Sequence, residues 1–117
     1  MAQITKIESQ ESLDAAFAES QDHTVVVFKH SLICPTSRHA FDTFQAFVAA
    51  QPDDSATFKL IEIQRQRALS RDVEQRTEVK HESPQVLVVR EGRVDWHESH
   101  WHITEDALEA ALTPVAK

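Results

Sequence analysis

The sequence is poor in residues that cross-link or interrupt a small protein, with one cysteine, one glycine and four prolines among 117 residues. A single cysteine excludes an internal disulfide framework. A chain of this length buries roughly two-thirds of its unfolded surface, enough for a core without metals or disulfides. Linkers rich in proline or serine, low-complexity tracts and internal repeats are absent from the sequence. The composition therefore predicts one ordinary domain over residues 1–117.

Long apolar runs and blocks of positive charge are also missing. The longest apolar runs, at 25–28, 46–50 and 86–89, fall far short of the ~20 residues of a membrane span. The N-terminal sequence MAQITKIESQE lacks a basic segment followed by an apolar one, so we expect no secretory signal, no membrane partner and a cytoplasmic location. The net charge of -7 argues against nucleic acid as a partner, because binding it requires cations that displace phosphate counterions.

Apolar periodicity predicts alternating strands and helices. Apolar or alternating segments predict strands at 4–7, 24–29, 58–63, 85–89 and 94–96. Helical spacing predicts helices at 12–19, 35–50, 69–77 and 104–112, with Thr104 capping the last one. The pair Glu91-Gly92 predicts a hairpin between the last two strands. The order β-α-β-α-β-α-β-β-α indicates an α/β domain whose central mixed sheet is flanked by helices.

The lone cysteine, Cys34, is the first candidate for chemistry, although a single cysteine is most often a small buried hydrophobe. Cys34 follows a predicted strand and directly precedes Pro35, the first residue of the best-supported helix. Unpaired N–H groups and the helix dipole stabilise an anion such as a thiolate at that position. Residues 27–39 contain no carboxylate and four basic side chains: Lys29, His30, Arg38 and His39. Cys34 is therefore predicted to be nucleophilic at neutral pH.

The segment Cys34-Pro35-Thr36-Ser37 has a C-x-x-S pattern. Ser37 can donate a hydrogen bond to a thiolate but cannot resolve a mixed disulfide, so the pattern predicts monothiol exchange at Cys34. A phosphatase-like C-x5-R loop fits less well, because Ala40 stands where its arginine would be. A metal site at Cys34 would lack a second cysteine.

Ser83-Pro84, before the fourth predicted strand, is a second candidate. A trans proline could simply open that strand, whereas a cis-proline beside a strand-cysteine-helix unit would expose the Ser83 backbone to a cysteine-containing substrate. Four histidines stand nearby in the sequence, but their spacing lacks a zincin helix or cysteine support, so packing is the competing interpretation: His81, His97, His100 and His102. The windows 29–39 and 80–102 contain five Lys/Arg and four Asp/Glu, so they suit a small anionic ligand unless they are merely solvated loops.

Three separated segments, FKHSLICPTS, KHESPQVLVV and WHESHWHIT, resemble the monothiol bacilliredoxins of the bacillithiol system. The resemblance extends from about Val25 to Leu112 and implies a thioredoxin-like fold with a cis-proline at Pro84. It also implies removal of bacillithiol from mixed disulfides on cytoplasmic proteins, with bacillithiol as thiol co-substrate and no bound cofactor. The malate moiety of bacillithiol fits the locally positive windows. Thr36 and Glu78 depart from the family, which often has an apolar residue and a helix-ending glycine there.

The resemblance also suggests roles around the nucleophile. Lys29, His30 and Arg38 would stabilise the thiolate, and Ser37 would hydrogen-bond to it. The Ser83 backbone would align the disulfide, within a substrate-binding surface that includes His81, Ser99, His100 and Trp101. Two other functions stay open: a stress-related interaction module that uses Cys34 for anchoring or not at all, and a glutathione-dependent monothiol glutaredoxin-like protein. The absence of C-G-F-S counts against the second.

Overall fold

The computed structural model describes residues 2–112, so residue 1 and residues 113–117 of the predicted domain lie outside the described residues. Within 2–112 the elements are β1 (Ile4–Lys6), α1 (Gln10–Glu19), β2 (Val25–His30), α2 (Pro35–Ala49), β3 (Thr57–Glu62), α3 (Arg67–Thr77), β4 (Gln85–Arg90), β5 (Arg93–Ser99) and α4 (Glu105–Leu112). One 3-10 turn, His100–His102, separates β5 from α4. This order confirms the predicted α/β class. No helix in this range has both the length and the hydropathy needed to cross a membrane.

Local sequence signals account for most of the boundaries. Pro35 is the first residue of α2, as predicted, and the Thr104 hydroxyl accepts a hydrogen bond from the Ala107 N–H at 3.1 Å before α4. The last strand is longer than predicted, because β5 extends from Arg93 to Ser99 and the prediction covered only 94–96. Exposed and half-buried residues alternate along β5, and its polar side chains obscure the strand signal in the sequence.

The five-stranded sheet has the order β1-β3-β2-β4-β5. Strand β2 is parallel to β3 and antiparallel to β4, with Lys29 opposite Gln85 at the end of the β2–β4 pairing. The loop that leaves β2 and the segment that enters β4 therefore lie at the same edge of the sheet. Gln85 also pairs with Ser99, so the end of β5 reaches that edge as well.

Side chains of β2 alternate between two buried layers. Val26 and Phe28 pack in the core formed with α2 and α4, where the Phe28 and Phe44 ring centroids are 4.9 Å apart. Val25 and Val27 pack on the opposite face with residues of α1 and α3. Because successive strand residues point to opposite faces, Lys29 and His30 enter different layers of the domain. This alternation decides which basic side chains can approach Cys34.

Left-handed backbone conformations occur at two chain reversals. Glu78 caps the C-terminal end of α3 with φ 59°, a left-handed conformation that glycine adopts with less strain. This is the position where the bacilliredoxins often have a helix-ending glycine. Glu91 and Gly92, with φ 53° and 75°, form the predicted turn between β4 and β5. A Cβ atom at Gly92 would lie 3.1 Å from Gln21 Nε2, so the turn packs closely as well.

Candidate active site

Cys34 is the N-cap of α2, with extended backbone angles (φ -103°, ψ 120°) and a partly exposed side chain that makes no capping hydrogen bond. The N–H groups of Thr36 and Ser37 donate no hydrogen bond within residues 2–112. An open cavity of about 350 Å³ adjoins the cysteine, and its other lining residues are His30, Ser31, Leu32, Ile33, Pro35 and Arg38. The Cys34 sulfur thus lies at a helix start whose first N–H donors are unpaired within the described residues, and it faces an open cavity that a disulfide can enter.

Ser37 is fully buried and holds the cysteine loop in place. Its Oγ accepts a hydrogen bond from the Ser31 N–H at 2.9 Å and lies 2.8 Å from His30 Nδ1. The predicted hydrogen bond from Ser37 to the Cys34 sulfur is not present in the described part of the chain, because the Ser37 hydroxyl is bonded to Ser31 and His30 instead. The hydroxyl has these buried partners because the first turn of α2 packs directly over the end of β2.

His30 lines the cavity at Cys34 and forms a hydrogen bond with Ser37. It is 7% exposed, and its ring is stacked on Phe41 with centroids 4.6 Å apart. Burial lowers the pKa of His30, against the opposing effect of the Glu62 carboxylate. The imidazole is therefore mainly neutral at pH 7. His30 thus does not provide the positive charge that was predicted to stabilise the thiolate.

Lys29 lies on the other face of the sheet. It is fully buried, with its Nζ 3.2 Å from His81 Nδ1, and neither residue lines the cavity at Cys34. Burial lowers the pKa of Lys29 to about 8, although Glu74 acts in the opposite direction. Burial and the Lys29 cation lower the pKa of His81. The predicted roles of Lys29 beside the thiolate and of His81 in the same substrate surface are therefore wrong, because strand alternation directs Lys29 away from Cys34.

Arg38 is the remaining basic side chain on the cavity. Its side chain is 80% exposed, with Nε 4.0 Å from an Asp42 carboxylate oxygen. Asp42 and Glu62 both act electrostatically on His30, so the neighbourhood is carboxylate-free only within the sequence window and not in three dimensions. Arg38 can still reach an anionic group in the cavity, since this long exposed ion pair is weak.

The other predicted site residues lie at the start of β4 and at the end of β5 or just after it, at the same edge of the sheet as the cysteine loop, and none of them lines the cavity at Cys34. The Ser83–Pro84 peptide bond is cis, as the resemblance implied. The Pro84 carbonyl accepts a hydrogen bond from the His100 N–H at 3.1 Å, while the Ser83 backbone makes no hydrogen bond to any residue in 2–112. The Trp101 ring is 64% exposed, with its centroid 5.2 Å from that of His39 on α2. These contacts join Pro84 to His100 and Trp101 to α2, the helix whose N-cap is Cys34.

The histidines of the segment 97–102 are exposed at the surface. His100 Nε2 lies 3.8 Å from a Glu82 carboxylate oxygen, and His97 is an exposed residue of β5. Among residues 2–112, no three His, Cys, Asp or Glu side chains are grouped so that they could hold a metal ion. Ser99, also predicted here, is half-buried in the β4–β5 pairing.

Sequence reasoning missed Gln64, which anchors the cysteine loop. Its Oε1 accepts a hydrogen bond from the Leu32 N–H at 2.8 Å, and its Nε2 donates to Ser31 Oγ at 2.9 Å. Gln64 follows β3, whose carboxyl end lies beside that of β2 in the parallel pair. No local pattern marks this glutamine, and only the strand order could have pointed to it.

Ser37→Ala is expected to lower the free energy of unfolding by about 1 to 3 kcal/mol, because it leaves the buried Ser31 N–H and His30 Nδ1 without Ser37 as a partner. Urea unfolding would measure the loss. Thr36→Ala, in the same helical turn and half-buried, is the control and should change stability by less than about 0.5 kcal/mol. Equal effects of the two substitutions would contradict the assigned role of Ser37.

Comparison with known proteins agrees with this geometry. Residues 5–108 match the family model described as monothiol bacilliredoxin BrxC. A solved structure described as a candidate oxidoreductase with a thioredoxin fold is 30% identical, with a TM-score of 0.81 over 92% of each chain.

More distant solved structures show the fold alone. Thioredoxin from Malassezia sympodialis is 14% identical with a TM-score of 0.76, over 96% of this chain and 90% of that one. Thioredoxin from Schistosoma mansoni is 11% identical with a TM-score of 0.73, over 95% and 96%. The family match, which includes the cysteine loop and the cis-proline segment, identifies this chain as a redox protein of thioredoxin fold that belongs to the monothiol bacilliredoxin family.

Proposed function

We propose that the protein removes bacillithiol from mixed disulfides on cytoplasmic proteins, with Cys34 as the nucleophile. One observation carries the proposal: the partly exposed Cys34 begins α2, and a buried serine occupies position 37, where a dithiol enzyme has its second cysteine. Membership in the bacilliredoxin family supports bacillithiol as the thiol. The fold by itself would equally accommodate other low-molecular-mass thiols.

The reaction consists of two thiol–disulfide exchanges. The Cys34 thiolate attacks the bacillithiol sulfur of a protein–bacillithiol disulfide, so that a Cys34–bacillithiol bond forms and the protein leaves as a thiolate. A second bacillithiol thiolate then attacks the bacillithiol sulfur on Cys34, which releases bacillithiol disulfide and regenerates the Cys34 thiolate. The second bacillithiol is the reductant, because Ser37 has no sulfur with which to close an internal disulfide.

Different residues around Cys34 would hold the client polypeptide and the bacillithiol part of the substrate. Exposed apolar side chains beside Cys34 would contact the client polypeptide: Leu32, Ile33 and Trp101. The unpaired backbone of Ser83 would hydrogen-bond to the client chain next to its disulfide. Arg38, exposed on the cavity, would pair with a carboxylate of the bacillithiol malate group.

Intact-mass measurement tests this function. After incubation with bacillithiol disulfide, we expect one bacillithiol adduct on the wild-type protein and none on Cys34→Ser. With glutathione disulfide at the same concentration, we expect adduct formation to be slower. Arg38→Gln should slow the bacillithiol reaction towards the glutathione rate. Faster labelling by glutathione would support the glutaredoxin-like alternative, and no adduct with either disulfide would support the interaction module.

A further inference from the structure

The segment 80–84, which links α3 to β4 and contains Ser83 and Pro84, has no regular secondary structure. Polar side chains on the α3 side of the sheet attach it to the domain. The His81 N–H donates to Glu74 Oε2 at 2.7 Å, and Gln85 Nε2 donates to the Lys80 carbonyl at 3.0 Å. Both bonds hold the N-terminal end of the segment, at Lys80 and His81, rather than Ser83 itself.

Lys29 lies beneath this segment and connects it to β2. Lys29 Nζ is 3.2 Å from His81 Nδ1, and Ser70 Oγ is 3.4 Å from the same atom. Lysine has only donors, so its ammonium group donates to the neutral imidazole. The backbone of Lys29 is also the strand neighbour of Gln85 and adjoins His30 of the cysteine site, so this residue is connected both to segment 80–84 and to the cysteine loop.

Two buried atoms in this region have no hydrogen-bond partner within residues 2–112, namely Ser83 Oγ and Gln85 Oε1. Neither side chain therefore fixes the conformation of the segment fully. The Lys29–His81 contact is a side-chain link from β2 to this segment, two residues before Ser83. Glu74 on α3 and Glu82 on the segment are the carboxylates that act on this pair.

Lys29 is fully buried and has no direct carboxylate partner within residues 2–112, so it opposes folding, since an ammonium group loses hydration that one imidazole does not replace. Methionine has a similar length and would fill the same space without this penalty. Groups that oppose folding are frequently those that an active site requires. Lys29 contacts His81 and pairs with Gln85, the residues on either side of Ser83–Pro84, and this placement indicates what that requirement is.

We propose that Lys29 is a positioning residue that acts through His81 to hold the Ser83–Pro84 segment in the conformation that receives the client polypeptide. The proposal rests on the proposed function, in which the Ser83 backbone binds the client. Lys29 takes no part in the exchange at Cys34, from which it is separated by the sheet. It controls the affinity for a protein disulfide and leaves the reactivity of the thiolate unchanged.

Lys29→Met tests the proposal with a small protein that carries one bacillithiolated cysteine as the substrate. We expect KM to rise by about three- to tenfold, the equivalent of one lost hydrogen bond, with kcat and the alkylation rate of Cys34 unchanged. His81→Leu should have the same effect. His81→Asn, whose amide oxygen can occupy the position of Nδ1, should keep KM near the wild-type value, and the Lys29→Met/His81→Leu double variant should be no worse than either single one.

Amide hydrogen exchange of residues 80–85 provides a readout that needs no activity. The Lys29→Met variant should exchange faster there, and Lys59→Met, on the same face of the sheet, should not. The proposal would be overturned if Lys29→Met changed neither KM nor the amide exchange of residues 80–85. It would also be overturned if the substitution lowered kcat and the alkylation rate of Cys34 in parallel. If the wild-type protein fails to act on the substrate, the proposed function fails, and the exchange measurement alone then decides the role of Lys29.

Discussion

Lys29→Met is expected to raise the free energy of unfolding at pH 7 by about 2 kcal/mol, because the burial penalty that it removes, roughly 3 kcal/mol, exceeds the roughly 1 kcal/mol of the lost Lys29–His81 hydrogen bond. In the folded protein the pKa of Lys29 is lowered from 10.5 to about 8, first by burial and against the influence of Glu74. At pH 7 the lysine is protonated in both states, and the folded state bears the penalty of the buried charge. Methionine removes the charge and retains the apolar part of the side chain.

The pH dependence separates this effect from a general improvement in packing. Because the unfolded chain binds the Lys29 proton more tightly, the wild-type protein should gain stability as the pH rises from about 8 to 10.5, and Lys29→Met should lack that gain. Denaturant unfolding at several pH values would measure the difference. Lys59→Met is the matched control, since Lys59 pairs with Val27 on the same face but is half-buried. A variant that is less stable than wild type at pH 7 would contradict the burial penalty.

A stability gain also sharpens the test of the positioning role. If Lys29→Met is more stable than wild type and still has a higher KM, partial unfolding cannot account for the weaker substrate binding. The stability of the wild-type protein at acidic pH provides an independent check, because burial lowers the pKa values of His30 and His81 below 6.5. Both histidines should therefore reduce stability as the pH falls below about 6.5, where the unfolded chain takes up protons that the folded one excludes.

Ser37→Cys is expected to convert the monothiol site into a dithiol site and to shorten the lifetime of a Cys34–bacillithiol adduct by at least about tenfold. Residue 37 lies one helical turn after Cys34, within the separation that a disulfide can bridge. An internal thiol has an effective concentration far above that of bacillithiol in solution. Intact mass over time, without added reductant, would show loss of the adduct and a product two hydrogen masses lighter than the reduced variant.

Ser37→Ala is the control for this experiment, because it removes the same buried hydroxyl and adds no thiol. Its adduct should persist as long as that of the wild-type protein. An adduct on Ser37→Cys with the wild-type lifetime would mean that the side chain at position 37 cannot approach Cys34. A folded but more easily unfolded Ser37→Cys protein is consistent with the structure, since a thiol is a weaker partner for the Ser31 N–H than a hydroxyl.

The order of the elements, the α/β class and the location of the nucleophile could be predicted from the sequence, because each depends on neighbours within a few residues. Pro35 specifies the start of α2, Glu91-Gly92 specifies the hairpin, and the C-x-x-S spacing specifies a monothiol site. The end of β5 could not be found in the same way. The strand lies at an edge of the sheet and has an exposed face, so its pairing with β4 is not encoded by an apolar pattern.

The surroundings of Cys34 were decided by tertiary structure. Local sequence grouped Lys29 with His30, but the pleat of β2 places Lys29 in the opposite layer, next to His81. Strand order brought Gln64 to the cysteine loop from a distant part of the chain. A hydrogen bond or a burial penalty depends on distances across the sheet, and the sequence specifies those distances only through the complete fold. The sequence by itself thus indicated the family and the candidate nucleophile, whereas the packing of β2 against α2 and α3 determined which side chains lie beside that cysteine.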